Sequence, residues 1–158
     1  MRFMLLLKGD PQIDADGAGW EGAVPAGPDG PMPPEELIGA MLKYNEELVK
    51  AGVLLAGEGL YDSSRGSRVI YKAGRKSVVD GPFAEAKELV AGFYIIQVSS
   101  KEEAIEWAKR CPVEVAVQGT DMEAVIEVRQ VHEMEDLTTA TDEQRRAEAR
   151  LRQQLPNQ

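Results

Sequence analysis

The chain has few of the side chains that build metal and redox sites, with one cysteine and one histidine among 158 residues. Cys111 has no second cysteine with which to form an internal disulfide, and this fits a reducing cytoplasm. Together, Cys111 and His132 supply too few soft ligands for a structural zinc site. We therefore expect no metal, no cofactor and a cytoplasmic location.

The sequence also lacks a long hydrophobic run and an excess of basic residues. The apolar stretch near the N-terminus covers residues 3–7, which is far too short for a membrane span or a signal-peptide core. The formal net charge is −9, whereas phosphate recognition requires lysines and arginines clustered on one face. We expect neither membrane insertion nor direct nucleic-acid binding.

The residues that are present predict one α+β domain over residues 1–137 with two additions. The predicted order is strand, helix, strand, hairpin, strand, helix, strand. Two βαβ units with an inserted hairpin give a ferredoxin-like sheet with both helices on one face. Residues 9–31 are rich in Gly, Pro and Asp and predict a long loop, and residues 138–158 predict a charged helical tail.

Local signals indicate where the elements begin and end. Apolar spacing predicts a helix over residues 34–51, followed by a short strand at 53–56. A three-residue turn at 73–75 joins the strands of the hairpin. Capping-box patterns begin two further helices, one at Ser100 and one at Thr141.

The helix-free face of the sheet also carries apolar residues. The first strand, residues 2–8, is apolar on both alternating faces, and the run at 93–98 has a similar character. Strands without alternation are usually buried on both sides. The simplest cover is the same face of a second copy related by a two-fold axis, so we expect a homodimer.

Residues 80–88 read DGPFAEAKE, in which Asp-Gly-Pro is a strong turn signal. This string closely resembles the signature of the DGPF family, a branch of the YCII-related proteins. Further blocks that resemble the family, at residues 1–10, 44–60, 100–112 and 126–136, occur in the same order as in the family. The resemblance implies a dimeric α+β barrel, in which two ferredoxin-like sheets pair.

The resemblance leaves two kinds of function open. DGPF proteins are often encoded beside, or fused to, sigma factors, which implies a small-molecule-binding or sigma-factor-associated accessory protein. The alternative is a cofactor-free enzyme like the lactone isomerases, dehydrochlorinases and monooxygenases of the barrel superfamily, acting on a small apolar substrate. The His–Asp pair suspected in YCII-type members is not carried over. The chain has no histidine before His132, so Asp80 is the only matching half.

Two carboxylates are candidates for proton transfer. Asp80 could act as a general acid or base at the mouth of a cleft, or it could accept the backbone amides of the turn that follows it. Glu58 lies between two glycines, which let a backbone bend around a ligand, and it could equally be a solvated turn residue.

Aromatic residues are the candidates for a ligand pocket between the sheet and the helices. Tyr61, Phe83 and Phe93 are the predicted ligand-binding residues, and Phe83 is the best of them because it follows a turn. Aromatics on strands more often belong to the core, and this alternative also applies to Tyr94 and Trp107.

Overall fold

The computed structural model describes residues 1–9, 33–83, 88–118 and 121–155. The strands are β1 (Arg2–Lys8), β2 (Leu54–Gly59), β3 (Ser67–Lys72), β4 (Arg75–Asp80), β5 (Val90–Gln97) and β6 (Ile126–Gln130). The helices are α1 (Glu35–Lys50), α2 (Lys101–Arg110), α3 (Glu114–Val117) and α4 (Asp142–Gln154). Apart from Gly9, the loop predicted at 9–31 lies outside the described residues, as do residues 84–87 of the signature.

Four strands form one antiparallel sheet in the order β2-β5-β1-β6, with β1 at a central position. This is the ferredoxin-like order expected for two βαβ units, so the predicted fold class is confirmed. Strands β3 and β4, which lie between β2 and β5 in the sequence, form a separate two-stranded ribbon. The inserted hairpin is therefore confirmed as well.

The core lies between the four-stranded sheet and helices α1 and α2. Phe3 pairs with Ile96 and Leu5 with Tyr94 across β1 and β5, so these four side chains share the helix-covered face. The buried apolar side chains on this side are Phe3, Leu5, Tyr44, Leu48, Val53, Tyr94, Ile96, Val98, Ala104, Trp107 and Cys111. Their continuous packing supplies most of the burial that stabilises the domain.

Two tyrosines make polar contacts inside this core. The rings of Tyr44 and Tyr94 meet edge to face at 5.5 Å between centroids. The Tyr44 hydroxyl donates to the carbonyl oxygen of Trp107 at 2.9 Å, and the Tyr94 hydroxyl donates to Asn45 Oδ1 at 2.7 Å. Burial raises the pKa of Tyr94 to about 12, so its hydroxyl stays protonated.

The opposite sheet face carries a partly buried apolar patch. Met4 pairs with Ile95 and Leu6 with Phe93, and all four alternate along their strands with core residues. They therefore lie on the face away from α1 and α2. The sequence-based expectation of apolar residues on both faces is confirmed for β1 and β5.

Several predicted boundaries differ from the structure. Gly57, Glu58 and Gly59 belong to β2 and do not follow it, because they continue its pairing with β5. The hairpin turn contains two residues, Ala73 and Gly74, with φ angles of +49° and +75°. Arg75, predicted in the turn, pairs with Lys72 in the ribbon.

The predicted capping box forms one of its two hydrogen bonds at α2 and both at α4. Ser100 accepts the amide of Glu103 at 3.1 Å, but the Glu103 carboxylate accepts the amide of Ser99, one residue earlier than predicted. Thr141 and Gln144 exchange both bonds of the box that begins α4. Over the described residues, none of the helices has the length and apolar character needed to span a bilayer.

The C-terminal helix α4 is tied to the domain by arginines. Arg145 donates to the carbonyl oxygens of Met134 and Leu137 at 2.6 and 2.8 Å. Arg152 lies 3.7 Å from Glu133, whose carboxylate accepts two hydrogen bonds from Arg2 at 2.7 and 2.8 Å. Charged contacts therefore connect α4 to the first strand.

Candidate functional site

A surface cleft of about 390 Å³ lies at the base of the β3–β4 ribbon. Its walls come from the segment after β2, the start of β3, the signature turn and the segment that enters β5. The lining residues are Leu60, Tyr61, Asp62, Ser63, Arg65, Gly66, Arg68, Phe83, Glu88, Leu89 and Val90. Its volume falls within the range typical of small-molecule sites.

Close backbone packing fixes the signature turn to one wall of the cleft. The Gly81 amide donates to the carbonyl oxygen of Gly66 at 2.9 Å, and the Phe83 amide donates to Ser63 Oγ at 2.9 Å. A Cβ atom on Gly66 would lie 3.3 Å from the Ser63 carbonyl oxygen and 3.5 Å from the Phe83 ring. A Cβ atom on Gly66 would therefore be tight against the short turn and in ordinary contact with the Phe83 ring.

Two arginine–aromatic pairs flank the cleft. The guanidinium carbon of Arg65 lies 4.1 Å from the centroid of the Tyr61 ring, and that of Arg68 lies 4.0 Å from the centroid of the Phe83 ring. Such stacking orients a guanidinium against the face of the ring. The cleft therefore combines flat apolar surfaces with directed positive charge.

Two carboxylates also belong to the cleft lining. Glu88 Oε2 lies 3.0 Å from a terminal nitrogen of Arg68. Asp62 Oδ1 accepts the amide of Ser64 at 3.0 Å and also its hydroxyl hydrogen, which begins the short turn at Ser63–Arg65. Both acidic groups in the cleft lining thus have defined cationic or hydrogen-bond partners.

The structure brings together two of the three aromatic residues predicted for a pocket. Tyr61 and Phe83 both line the cleft. Phe93 lies instead on the helix-free sheet face, directly opposite Glu58 across β2 and β5. Tyr94 and Trp107 are buried in the core, which confirms the alternative stated for strand and helix aromatics.

Glu58 is an exposed strand residue, and one of its two glycine neighbours, Gly57, has a packing role. A Cβ atom on Gly57 would lie 2.5 Å from the ring of Tyr94. A Cβ atom on Gly92, opposite Gly59, would lie 2.8 Å from the carbonyl oxygen of Glu58. Gly57 and Gly92 therefore permit tight β2–β5 packing, whereas a Cβ atom on Gly59 would meet nothing within 4 Å. A ligand role for Glu58 stays a prediction.

Asp80 ends β4 beside the cleft but does not belong to its lining. Its carboxylate accepts the hydroxyl hydrogen of Ser67 at 2.7 Å, across the last pair of the ribbon. The amides of Gly81 and Phe83 have other acceptors, and Pro82 has no amide hydrogen. The hydrogen bonds proposed between Asp80 and the turn amides were therefore wrong, although Asp80 still closes the ribbon.

The remaining reactive side chains lie away from the cleft. Cys111 is buried at the end of α2, and burial raises the pKa of its thiol to about 12. His132 is exposed just after β6. Outside the undescribed segments, no three His, Cys, Asp or Glu side chains are grouped closely enough to hold a metal ion.

Four residues of the cleft were missed in the sequence: Asp62, Arg65, Arg68 and Glu88. Asp62-Ser63-Ser64 is a typical turn-forming string, because an Asp side chain readily accepts an amide two residues later. That signal could have located the short turn. The stacking of Arg68 on Phe83 has no comparable signal, since it depends on segments far apart in sequence, whereas Arg65 lies only four residues after its partner Tyr61.

Comparison with known proteins places the chain among relatives of undefined activity. The model of the YCII-related domain matches residues 1–135, which confirms the resemblance read from the signature. An uncharacterised protein of Rhizobium meliloti (strain 1021) is 33% identical over 75 residues. That alignment covers 48% of this chain and 60% of the relative, so it spans less than two thirds of the relative's length.

A similarity in structure was found with 5-chloro-2-hydroxyhydroquinone dehydrochlorinase from Burkholderia phenoliruptrix AC1100, solved in complex with 2,5-dihydroxybenzoquinone. The match covers 86% of this chain and 99% of that chain, at 16% sequence identity and a TM-score of 0.39. This likeness assigns no activity to the present chain.

Proposed function

Because the chain belongs to the YCII-related family, we propose that it is a small-molecule-binding protein whose site is the cleft beside the signature turn. The observation that carries this proposal is the pair of arginine–aromatic stacks on one cleft, Arg65 on Tyr61 and Arg68 on Phe83. A single such stack is common on protein surfaces. Two of them on one concave surface of suitable volume form a recognition surface.

The ligand that fits this chemistry is a small planar anion. Leu60, Leu89 and Val90 supply apolar wall, and Tyr61 and Phe83 supply rings against which a flat molecule can stack. A guanidinium edge recognises a carboxylate with two parallel hydrogen bonds. We therefore propose an aromatic carboxylate, or a molecule of the same shape and charge, as the ligand class.

Glu88 provides the internal competitor for that ligand. Its side chain is 62% exposed, and its carboxylate is paired with Arg68. A bound carboxylate would replace Glu88 as the partner of the guanidinium. Because an exposed ion pair is worth only about 0–1 kcal/mol, the exchange costs little free energy.

The cleft supports binding more strongly than acid–base catalysis. Asp80, the candidate proton-transfer residue, is bonded to Ser67 and lies outside the lining. Asp62 accepts the amide of Ser64, and Glu88 is paired with Arg68 until a bound anion replaces it. The cofactor-free enzyme remains the alternative prediction, and it requires turnover of a bound compound that depends on one of these carboxylates.

The decisive experiment is a calorimetric titration with benzoate, and the uncharged benzamide serves as the matched ligand control. Arg68→Gln should weaken benzoate binding by about tenfold or more, the scale of a charge-assisted hydrogen bond. Glu88→Gln should tighten it, because the internal competitor is removed. Arg150→Gln, an exposed arginine on α4, should change nothing.

Arg68→Gln and Glu88→Gln should change benzoate affinity in opposite directions, which distinguishes ligand recognition from a general effect on stability. Equal affinity for benzoate and benzamide would contradict anion recognition. No measurable binding of benzoate at millimolar concentration would contradict the proposed ligand class. Thermal melting of each variant shows whether the fold is retained.

We also propose that two copies pair through the helix-free sheet face. The support is the partly buried patch of Met4, Leu6, Phe93 and Ile95, which lies away from α1 and α2. Two such faces packed together would bury these side chains completely. Association with a sigma factor and a cytoplasmic location remain predictions from the sequence.

A further inference from the structure

The β3–β4 ribbon exposes an unusual amount of apolar surface. It forms its own two-stranded sheet, and every residue of its strands except Arg68 is exposed. Five large apolar side chains in it are between 42% and 71% exposed: Val69, Ile70, Tyr71, Val78 and Val79. Scattered single residues of this kind are ordinary, but five on one ribbon indicate a contact surface.

Exposed apolar side chains lie on both faces of the ribbon. Val69 and Val78 are directly opposite each other and share a face with Tyr71, whereas Ile70 and Val79 lie on the other face. A two-stranded hairpin in water is marginally stable without further packing. A partner that covers at least one face would therefore stabilise the ribbon as well as bury its side chains.

The charge of the ribbon indicates which partner fits. Its 14 residues, 67–80, contain four basic side chains, Arg68, Lys72, Arg75 and Lys76, and one acidic side chain, Asp80. The ribbon therefore carries a formal charge of +3, and the rest of the chain carries −12 within the total of −9. A basic, apolar ribbon on an acidic body is complementary to a second acidic body.

We propose that the ribbon is an arm that packs on a second copy of this chain. The proposal rests on the proposed dimer for the existence of a partner, and it adds an interface separate from the helix-free sheet face. In a two-fold dimer each copy donates one arm and receives one, so a single substitution removes two equivalent contacts. The arm starts at the cleft, where its Arg68 stacks on Phe83 of the cleft wall, so pairing would also hold the cleft walls in place.

Sedimentation equilibrium on the full chain tests this with three matched variants. Val69→Ser/Val78→Ser removes the facing apolar pair of the arm, and Ile95→Asp places a charge on the helix-free sheet face. Leu42→Ser/Val49→Ser is the control on the outer surface of α1. Its residues are 58% and 63% exposed, against 55% and 66% for Val69 and Val78.

We expect the wild type to dimerise and the arm variant to raise the dimer dissociation constant by at least about tenfold, while the α1 control leaves it unchanged. Loss of dimer in Ile95→Asp but not in the arm variant would overturn the arm and keep the sheet-face dimer. Loss in the arm variant alone would support the arm and reject the sheet face. A monomeric wild type would overturn both.

Charge reversal at the tip provides a variant that leaves the apolar pair intact. Arg75→Glu/Lys76→Glu should also raise the dissociation constant, by a factor that shrinks at high salt because the contact is electrostatic. An unchanged dimer dissociation constant would reject charge complementarity. It would then also reject a second copy of the chain as the partner of the ribbon. Arm-dependent binding of a short single-stranded DNA by a monomeric wild type would overturn the proposal in favour of nucleic acid.

Discussion

A Cβ atom on Gly81 would lie 1.7 Å from the carbonyl oxygen of Ser63. No side chain fits at that distance, so the glycine of the signature is a packing requirement between two chain segments. The same contact holds the Ser63 hydroxyl within 2.9 Å of the Phe83 amide. One close approach therefore fixes both the hairpin base and an aromatic wall of the cleft.

Gly81→Ala should destabilise the protein by at least about 2 kcal/mol, because the clashing group is backbone and can move only with its whole segment. Chemical denaturation measures the change. Gly39→Ala is the matched control, since a Cβ atom there meets nothing within 4 Å and the residue lies inside α1. That control should stabilise by about 0.5–1 kcal/mol. Equal effects of the two variants would contradict the packing argument.

The ribbon turn contains a residue in an unfavourable conformation. Ala73 has a φ of +49°, in the left-handed region that costs an ordinary residue roughly 1–2 kcal/mol. Ala73→Gly should therefore raise the free energy of unfolding, by up to about 1 kcal/mol, measured by denaturant melting. Ala149→Gly in helix α4 should lower it by a similar amount. If both variants lose stability, the strain at Ala73 is too small to matter.

The sequence predicted the fold because its signals are local and repeated. Apolar spacing located α1 almost to the residue, and the two-faced apolar character of β1 placed it centrally in the sheet. The turn at Ala73 was predicted one residue too long, because a left-handed alanine is rare and a three-residue loop with glycine is a common alternative.

The cleft was only partly predictable, for a physical reason. Phe83 was identified from the turn that precedes it, but its partner Arg68 approaches through the pairing of β3 with β4. Such contacts depend on register and side-chain direction in three dimensions. Composition also gave no sign that Phe93 would face away from the helices, since either strand face could have carried an aromatic.

The contact between Arg2 and Glu133 predicts a pH-dependent contribution to stability. The side-chain hydrogen bond from Arg2, with its charge, holds the pKa of Glu133 below the ordinary value of 4.5. A carboxylate with a lowered folded-state pKa stabilises the fold above its unfolded pKa, and the contribution is lost as the pH falls through the folded value.

Glu133→Gln should therefore lower the melting temperature at pH 7 and have less effect at acid pH, as the pH falls through the lowered folded-state pKa of Glu133 and the wild-type carboxylate is protonated. The loss should be about 0.5–1 kcal/mol, because the pair is partly exposed. Glu135→Gln, an exposed neighbour, is the control and should be neutral at both values. A Glu133→Gln effect that persists unchanged at pH 3 would reject the ionic origin.

The bond between Asp80 and Ser67 decides between a structural and a catalytic role for the signature aspartate. Asp80→Asn keeps a side-chain oxygen that can accept the Ser67 hydroxyl, whereas Asp80→Ala removes it. If the role is structural, Asn should melt like the parent. Ala should then cost about 0.5–1 kcal/mol, the usual scale for one exposed hydrogen bond.

Ser67→Ala provides the matched partner variant for Asp80→Ala. Removing both groups should cost little more than removing either, because the two substitutions break the same bond. Benzoate affinity should be unchanged in Asp80→Asn, since Asp80 lies outside the cleft lining. The contrary result is an Asp80→Asn protein of normal stability that has lost ligand binding or a measured turnover. That outcome would identify Asp80 as a proton-transfer group and favour the cofactor-free enzyme over the binding protein.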